Sequence, residues 1–268
     1  AYRAMDGGCI CCTVKGDLLK TLHEIPVSFP NKNLIWIEAS GISDPSDILS
    51  LFYSSSFISE SYSMRSVLTV VDGRNSFDWL IQQQSAPQQI AMASDIVVNT
   101  YDQLNKDLES LSTEIKIFNP IAQINLICLA KDQLAAIEDL AWFKNHRAQD
   151  TPSIETKEYN RQHKHAFETL TIRWQGRIKE LDVITFLNQW IEEFGVDLLR
   201  LKGTVQTVER DQLMVVQGVR RQVTFDYEDV DWPVENFLVI IGENIDRDSV
   251  DQLAVRINTA ITISELEV

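Results

Sequence analysis

The sequence has no run of eighteen or more apolar residues and no basic stretch leading into an apolar one near its start, so neither a membrane-crossing helix nor an export leader is expected and a cytoplasmic location is. Positive charge is scarce. Lys and Arg number 24 against 39 Asp and Glu, and the net charge of −15 repels a phosphate backbone, which argues against nucleic-acid and anionic-membrane partners and in favour of cations. Cysteine is sparse too, and of the four present, Cys9, Cys11 and Cys12 crowd into one turn, too tight for a disulfide framework and better suited to holding something with thiolates. Cys128 stands alone in an apolar run. Internal repeats and low-complexity tracts are absent. With 268 residues, 44% of them hydrophobic, there is apolar material for two cores of moderate size, so two domains are expected and disorder is not.

Four short apolar runs, at 34–38, 66–72, 95–99 and 124–129, each end in polar or glycine residues, the pattern of a buried parallel strand feeding a loop. Helical spacing occupies 13–25, 44–57, 75–94, 103–114 and 132–144. Strands alternating with helices predict an α/β, doubly wound parallel sheet, whose ligands bind beyond the carboxyl ends of the strands. Glu38-Ala39-Ser40-Gly41, Asp72-Gly73 and Asn99-Thr100-Tyr101-Asp102 all fall at such ends, and one crevice could gather them. The first domain is assigned to residues 1–148. A polar stretch around Pro152 reads as a linker over 149–166, and residues 167–268 form a smaller α+β domain of order β-α-β-β-β-β-α with helices on one face. In it, Leu181, Ile184, Leu187, Ile191 and Phe194 mark one face of a helix.

Gly7-Gly8-Cys9-Ile10-Cys11-Cys12 places three soft ligands on a flexible backbone, a set favouring Zn²⁺ or Cu⁺ over Mg²⁺ or Ca²⁺. Three sulfurs in one loop do not close a tetrahedral site, so a fourth ligand comes from elsewhere or the site is open and exchangeable. Glu38, after a strand, is placed to hold a Mg²⁺-bound water, and the Gly41 amide to sense a terminal phosphate; the same residues also read as a solvated turn before the helix that Asp44-Pro45 starts. Asn99 and Asp102 resemble the guanine-reading motif Asn-Lys-x-Asp, in which the aspartate accepts from the base edge, and the alternative is a helix-initiating turn. His163 and His165 offer two imidazoles near the linker's end, or a solvated strand edge.

Taken together, residues 7–18, 38–45, 70–72 and 99–102 resemble the CobW-type GTPases, P-loop metallochaperones related to the urease and hydrogenase accessory GTPases. The likeness extends through Asn119-Pro120-Ile121-Ala122, Leu199-Arg200-Leu201-Lys202-Gly203, Val215-Val216-Gln217-Gly218 and Val239-Ile240-Ile241-Gly242. It implies a P-loop NTPase-like first domain and a CobW C-terminal domain that contributes to partner contacts. It also implies GTP and Mg²⁺ as ligands, with Cys9, Cys11 and Cys12 as the metal-binding CxCC, Glu38 as the Walker-B-like acid, Gly41 near the γ-phosphate, and Asn99 with Asp102 at the guanine. GTP binding and hydrolysis would then drive transfer of Zn²⁺ or Co²⁺ to a client metalloprotein.

The sequence departs from that pattern at three places. No Gly-x-x-x-x-Gly-Lys followed by Ser or Thr occurs, Thr100 stands where the motif has lysine, and Ala39 where the family usually has threonine. An upstream strand-loop-helix of ~30 residues or more is therefore expected, and without it the chain should be unstable and inactive alone. Two other readings follow from the same residues: a metal-binding or protein-interaction module with degraded nucleotide chemistry, or a structural zinc knuckle that a chelator would unfold.

Overall fold

The computed structural model describes residues 12–99, 107–127, 167–195, 197–229 and 235–266. Two compact units result, Ala1–Met64 and Arg65–Val268.

In the first unit, helix α1 (Cys12–Ser28) carries Leu18 and Leu22 on one face, and these pack with Ile58 of the short helix α3 (Ser56–Ser61). Between them α2 (Ser46–Ser54) starts where the Asp44 carboxylate accepts from the Ser46 N–H at 2.9 Å, and Lys15 ties α2 to α1 through an ion pair with Asp47 at 2.6 Å. The continuous helix expected over 44–57 is broken at Ser55, whose extended backbone closes α2 and whose hydroxyl accepts from the Ile58 N–H to start α3. Residues 32–40 contain no strand, which corrects the reading of 34–38 as a buried one. Only Ile35 joins the core; Leu34 and Trp36 are 49% and 60% exposed. Among the described residues no backbone ladder meets this run, and a strand exists only where such a ladder forms.

The second unit opens with a three-stranded parallel sheet in the order β1-β2-β3: β1 (Leu68–Asp72), β2 (Asp95–Asn99) and β3 (Gln123–Ile127). Every residue of β2 is buried, as a central strand requires. The helix expected over 75–94 divides into α4 (Phe77–Leu80) and α5 (Ala86–Met92), because Ser76 caps the first and Pro87 starts the second. Helix α6 (Asp107–Phe118) leads into β3.

A five-stranded antiparallel sheet follows in the order β4-β8-β5-β6-β7, from β4 (Phe167–Trp174), β5 (Leu198–Gln206), β6 (Leu213–Val219), β7 (Gln222–Glu228) and β8 (Asn236–Glu243). Helices α7 (Glu180–Phe194) and α8 (Arg247–Leu266) cover one face, burying Leu187, Trp190, Leu253 and Ile257 against Leu201, Met214 and Ile240. The expected α+β order is thus present. The expected helix face is rotated, however: Leu181 is 71% exposed, while Val183 and Trp190 are buried instead. The other face of this sheet meets the helices of the parallel layer, α5 over β5 and α6 over β4. Phe118 bridges the layers, edge-on to Phe77 at 5.7 Å and to Phe167 at 6.1 Å, and its carbonyl accepts from the Thr169 hydroxyl. Gly203 sits where β8 crosses so closely that a Cβ would lie 2.0 Å from the Phe237 carbonyl oxygen, a steric reason for glycine in this strand.

Candidate functional site at the carboxyl end of the parallel sheet

Parallel pairing sets Asp72 of β1 opposite Asn99 of β2, and Asn99 opposite Ile127 of β3, at the end of the sheet where α/β folds bind ligands. The chain after β1 turns back against β2: the Gly73 N–H donates to the Asn99 carbonyl at 3.1 Å. A Cβ on Gly73 would lie 2.8 Å from that oxygen and 2.8 Å from Leu108 Cδ2, so the turn requires a residue without a side chain. Arg74 then folds onto the strand end. Its Nη2 meets Asp72 Oδ2 at 2.6 Å, its Nε meets Oδ1 at 3.0 Å, and its backbone N–H donates to Oδ1 at 3.0 Å. The guanidinium hydrogen bond holds the Asp72 carboxyl below the usual carboxylate range. A carboxylate, a buried carboxamide and a close-packed glycine backbone thus stand side by side at the parallel strand ends.

The other sequence-derived site residues fall elsewhere. Cys9, Cys11, Thr100 and Asp102 lie outside the described residues, as do Cys128, His146, His163 and His165; Cys12 opens α1, with its side chain outside them. Glu38 and Gly41 lie on an exposed loop of the first unit, whereas Asn99 belongs to the second. A Cβ on Gly41 would meet nothing within 4 Å. Among the described residues no group of three or more His, Cys, Asp or Glu could hold a metal ion. His23 stacks on Phe57 at 3.6 Å between ring centroids, a packing role.

At the opposite end of β2 the structure reveals residues to which the sequence assigned no role. The last turn of α5 presents a row of carbonyls, and side chains from three directions take them. Thr69 Oγ1 donates to the Gln89 carbonyl at 2.8 Å. Asn119, fully buried, donates through Nδ2 to Ile90, Ala91 and Ala93 at 2.7, 3.2 and 3.0 Å. Arg200, only 7% exposed, reaches from β5 to the Met92 carbonyl and to that of Ala91 at 3.5 Å, with Nη2 3.4 Å from Ser94 Oγ. The available sequence signal was a polar residue inside an apolar run: arginine between Leu199 and Leu201, and asparagine before Pro120.

Comparison with known proteins covers both parts of the chain. Residues 2–125 match the model of the CobW/HypB/UreG nucleotide-binding domain, and residues 167–255 match that of the cobalamin synthesis protein cobW C-terminal domain. The zinc-regulated GTPase metalloprotein activator 1 of Schizosaccharomyces pombe is 29% identical over 53% of this chain and 35% of its own length, so the match spans about a third of that relative. Its Saccharomyces cerevisiae namesake is 23% identical over 93% of the chain and 68% of its own length. The Escherichia coli zinc chaperone YjiA is 20% identical over 84% of the chain and 72% of its own length. A Zn(II)-bound crystal structure of YjiA superposes with a TM-score of 0.68 at 18% identity, covering 93% of this chain and 77% of that one, which establishes a shared fold.

Proposed function

Since this chain belongs to the CobW family, carrying its nucleotide-binding and C-terminal domains in sequence, we propose that it is a GTPase metallochaperone that couples its nucleotide state to delivery of Zn²⁺, or Co²⁺, to a client metalloprotein. The observation that carries the reading is the pairing of Asp72 and Asn99 at the carboxyl ends of β1 and β2, closed by the Gly73 N–H on the Asn99 carbonyl. In this reading residues 1–148 are the nucleotide domain and 167–268 the client-facing domain, joined by 149–166.

The roles divide by chemistry. Asn99 orients the base-reading loop from its buried seat, and the Asp102 carboxylate accepts from a guanine edge, which penalises adenine because an acceptor covered by the wrong base loses its donors. Glu38 would hold a water of the Mg²⁺ shell, and the Gly41 amide, on a loop where a Cβ would meet nothing within 4 Å, would donate to the terminal phosphate. Bound Mg²⁺ supplies charge neutralisation at the phosphates. Cys9, Cys11 and Cys12 carry the transferred ion as thiolates, and an open three-sulfur set lets the ion leave. The activator and chaperone names of the relatives support this direction of transfer.

The experiment is Zn²⁺-dependent GTP hydrolysis by the full-length protein as it is naturally encoded. Turnover that rises with Zn²⁺ and is lost in Cys11→Ala supports the proposal. Tight Zn²⁺ binding lost in Cys11→Ala, with no turnover in the parent, replaces it with the binding-module reading that Thr100 and Ala39 favour. Unfolding by a chelator replaces it with a structural zinc site, since such sites contribute about 10–16 kcal/mol to folding.

A further inference from the structure

The reader of a base must be held still, and what holds the start of β2 comes in part from the other sheet. We propose that Arg200 is a positioning residue through which the C-terminal domain fixes β2, and thereby the base-reading end at Asn99; this rests on the reading of Asn99 and Asp102 given above.

Helix α5 ends at Met92 and β2 begins at Asp95, so two residues separate a helix end from the central strand of the parallel sheet. Carbonyls 89 to 93 all accept side-chain hydrogen bonds, from Thr69, Asn119 and Arg200. Thr69 and Asn119 belong to the parallel layer itself. Arg200 alone among these three comes from the antiparallel sheet, and it alone also touches Ser94, the residue just before β2. A buried guanidinium at the negative end of a helix, bonded to its last carbonyls, forms charge-assisted hydrogen bonds that a neutral side chain cannot replace.

From that junction the strand runs on as a rod. β2 is paired along its whole length to β1 on one side and β3 on the other, from Asp95 to Asn99, and all five residues are buried. At about 3.3 Å per residue, Asn99 lies roughly 13 Å from Asp95, and a strand packed on both edges and both faces does not absorb a displacement of its start within that length. Loosening the junction therefore reaches Asn99 and the turn at Gly73 that bonds to it. The partners are specific enough to separate this from general packing. Val205 and Met214, equally buried in the same sheet, face α7 and α8 and have no route to β2.

The test compares Arg200→Met and Arg200→Lys with the parent, each as the full-length protein as it is naturally encoded. Hydrogen exchange of the β2 amides is read against those of β6 and β7, and GTP binding against ATP binding. The expected result for Arg200→Met is exchange about ten-fold faster at Ile96–Asn99 with β6 and β7 unchanged, and a GTP-over-ATP preference reduced about ten-fold. Arg200→Lys, which keeps the charge but loses the planar fork, should fall between. If Arg200→Met does not fold, the lysine variant decides by the same two readouts. Exchange at β2 within about two-fold of the parent, acceleration spread equally over β6 and β7, or an unchanged preference would each overturn the proposal. A parent that binds GTP and ATP alike strikes the base-reading assignment instead, and the exchange pattern alone then decides whether Arg200 fixes β2.

Discussion

Two apolar runs of five residues, 34–38 and 95–99, look alike in the sequence and have opposite fates in the structure. The second is β2, buried along its whole length between two parallel neighbours; the first meets no ladder among the described residues and leaves Leu34, Trp36 and Ile37 exposed. The difference lies not in hydrophobicity but in what surrounds each run. β2 has β1 and β3 on its edges and side chains gripping both the junction before it and the turn beside its end, whereas only Ile35 of the first run enters a core. An apolar run is a candidate for a strand, and backbone partners decide whether it becomes one.

The sharpest way to break this comparison is to truncate one side chain in each run. Ile96→Ala leaves a cavity in a fully buried strand and should cost about 2–5 kcal/mol, whereas Leu34→Ala should stay within about 0.5 kcal/mol, both read from denaturant midpoints. Equal losses would show that 34–38 is held as firmly as β2.

A second prediction concerns the grip on the strand's start. Asn119→Asp replaces an amide that donates to three carbonyls with a carboxylate that cannot, and thermal unfolding should register a loss of about 3 kcal/mol, with Asn119→Ala at about 1–3 kcal/mol. A tolerated aspartate would mean that the α5 carbonyls find other donors.

These contrasts also mark how far the sequence could be read. β2 was legible to the residue because a central parallel strand is apolar on both faces, and the five strands and two helices after Phe167 were legible because half-buried elements keep their period. The break at Ser55 and the division at 81–85 were not, since both depend on hydroxyl caps and Pro87 competing with an otherwise helical pattern. Of the candidate site, Asn99 and the Asp72-Gly73 turn meet as their place at strand ends suggested. Arg200 and Asn119 stayed hidden because their partners are backbone carbonyls about 109 and 28 positions away, respectively, which no local pattern records.

Beside Arg200 on β5, Lys202 offers a third test of the same junction. Burial pushes its ammonium down to about 8 from 10.5, helped by the Arg200 charge and opposed by Asp95 and Glu228. The folded chain therefore releases this proton before the unfolded chain does, so stability should rise as pH climbs from about 8 to about 10.5, by at most about 3 kcal/mol. Unfolding curves across that window should show the rise, and Lys202→Met should abolish it while leaving the molecule more stable at pH 7. A flat profile in the parent would show that Lys202 reaches solvent and that the junction is looser than β2's burial implies.

The smallest expected effect lies at the far end of the sheet, where Arg74 folds back on Asp72 beside Asn99. The Arg74 side chain is largely open to solvent and Asp72 is about a third exposed, so the pair adds little to folding and Arg74→Ala should leave the unfolding midpoint nearly unchanged. What it should move is the Asp72 titration, upward toward the ordinary carboxylate range, because the guanidinium hydrogen bond is the main cause of its depression. Carboxyl-carbon NMR would read that shift directly. An unmoved titration would mean that the turn through Gly73, rather than Arg74, sets the charge at this strand end, and that the end of β2 is shaped by backbone alone.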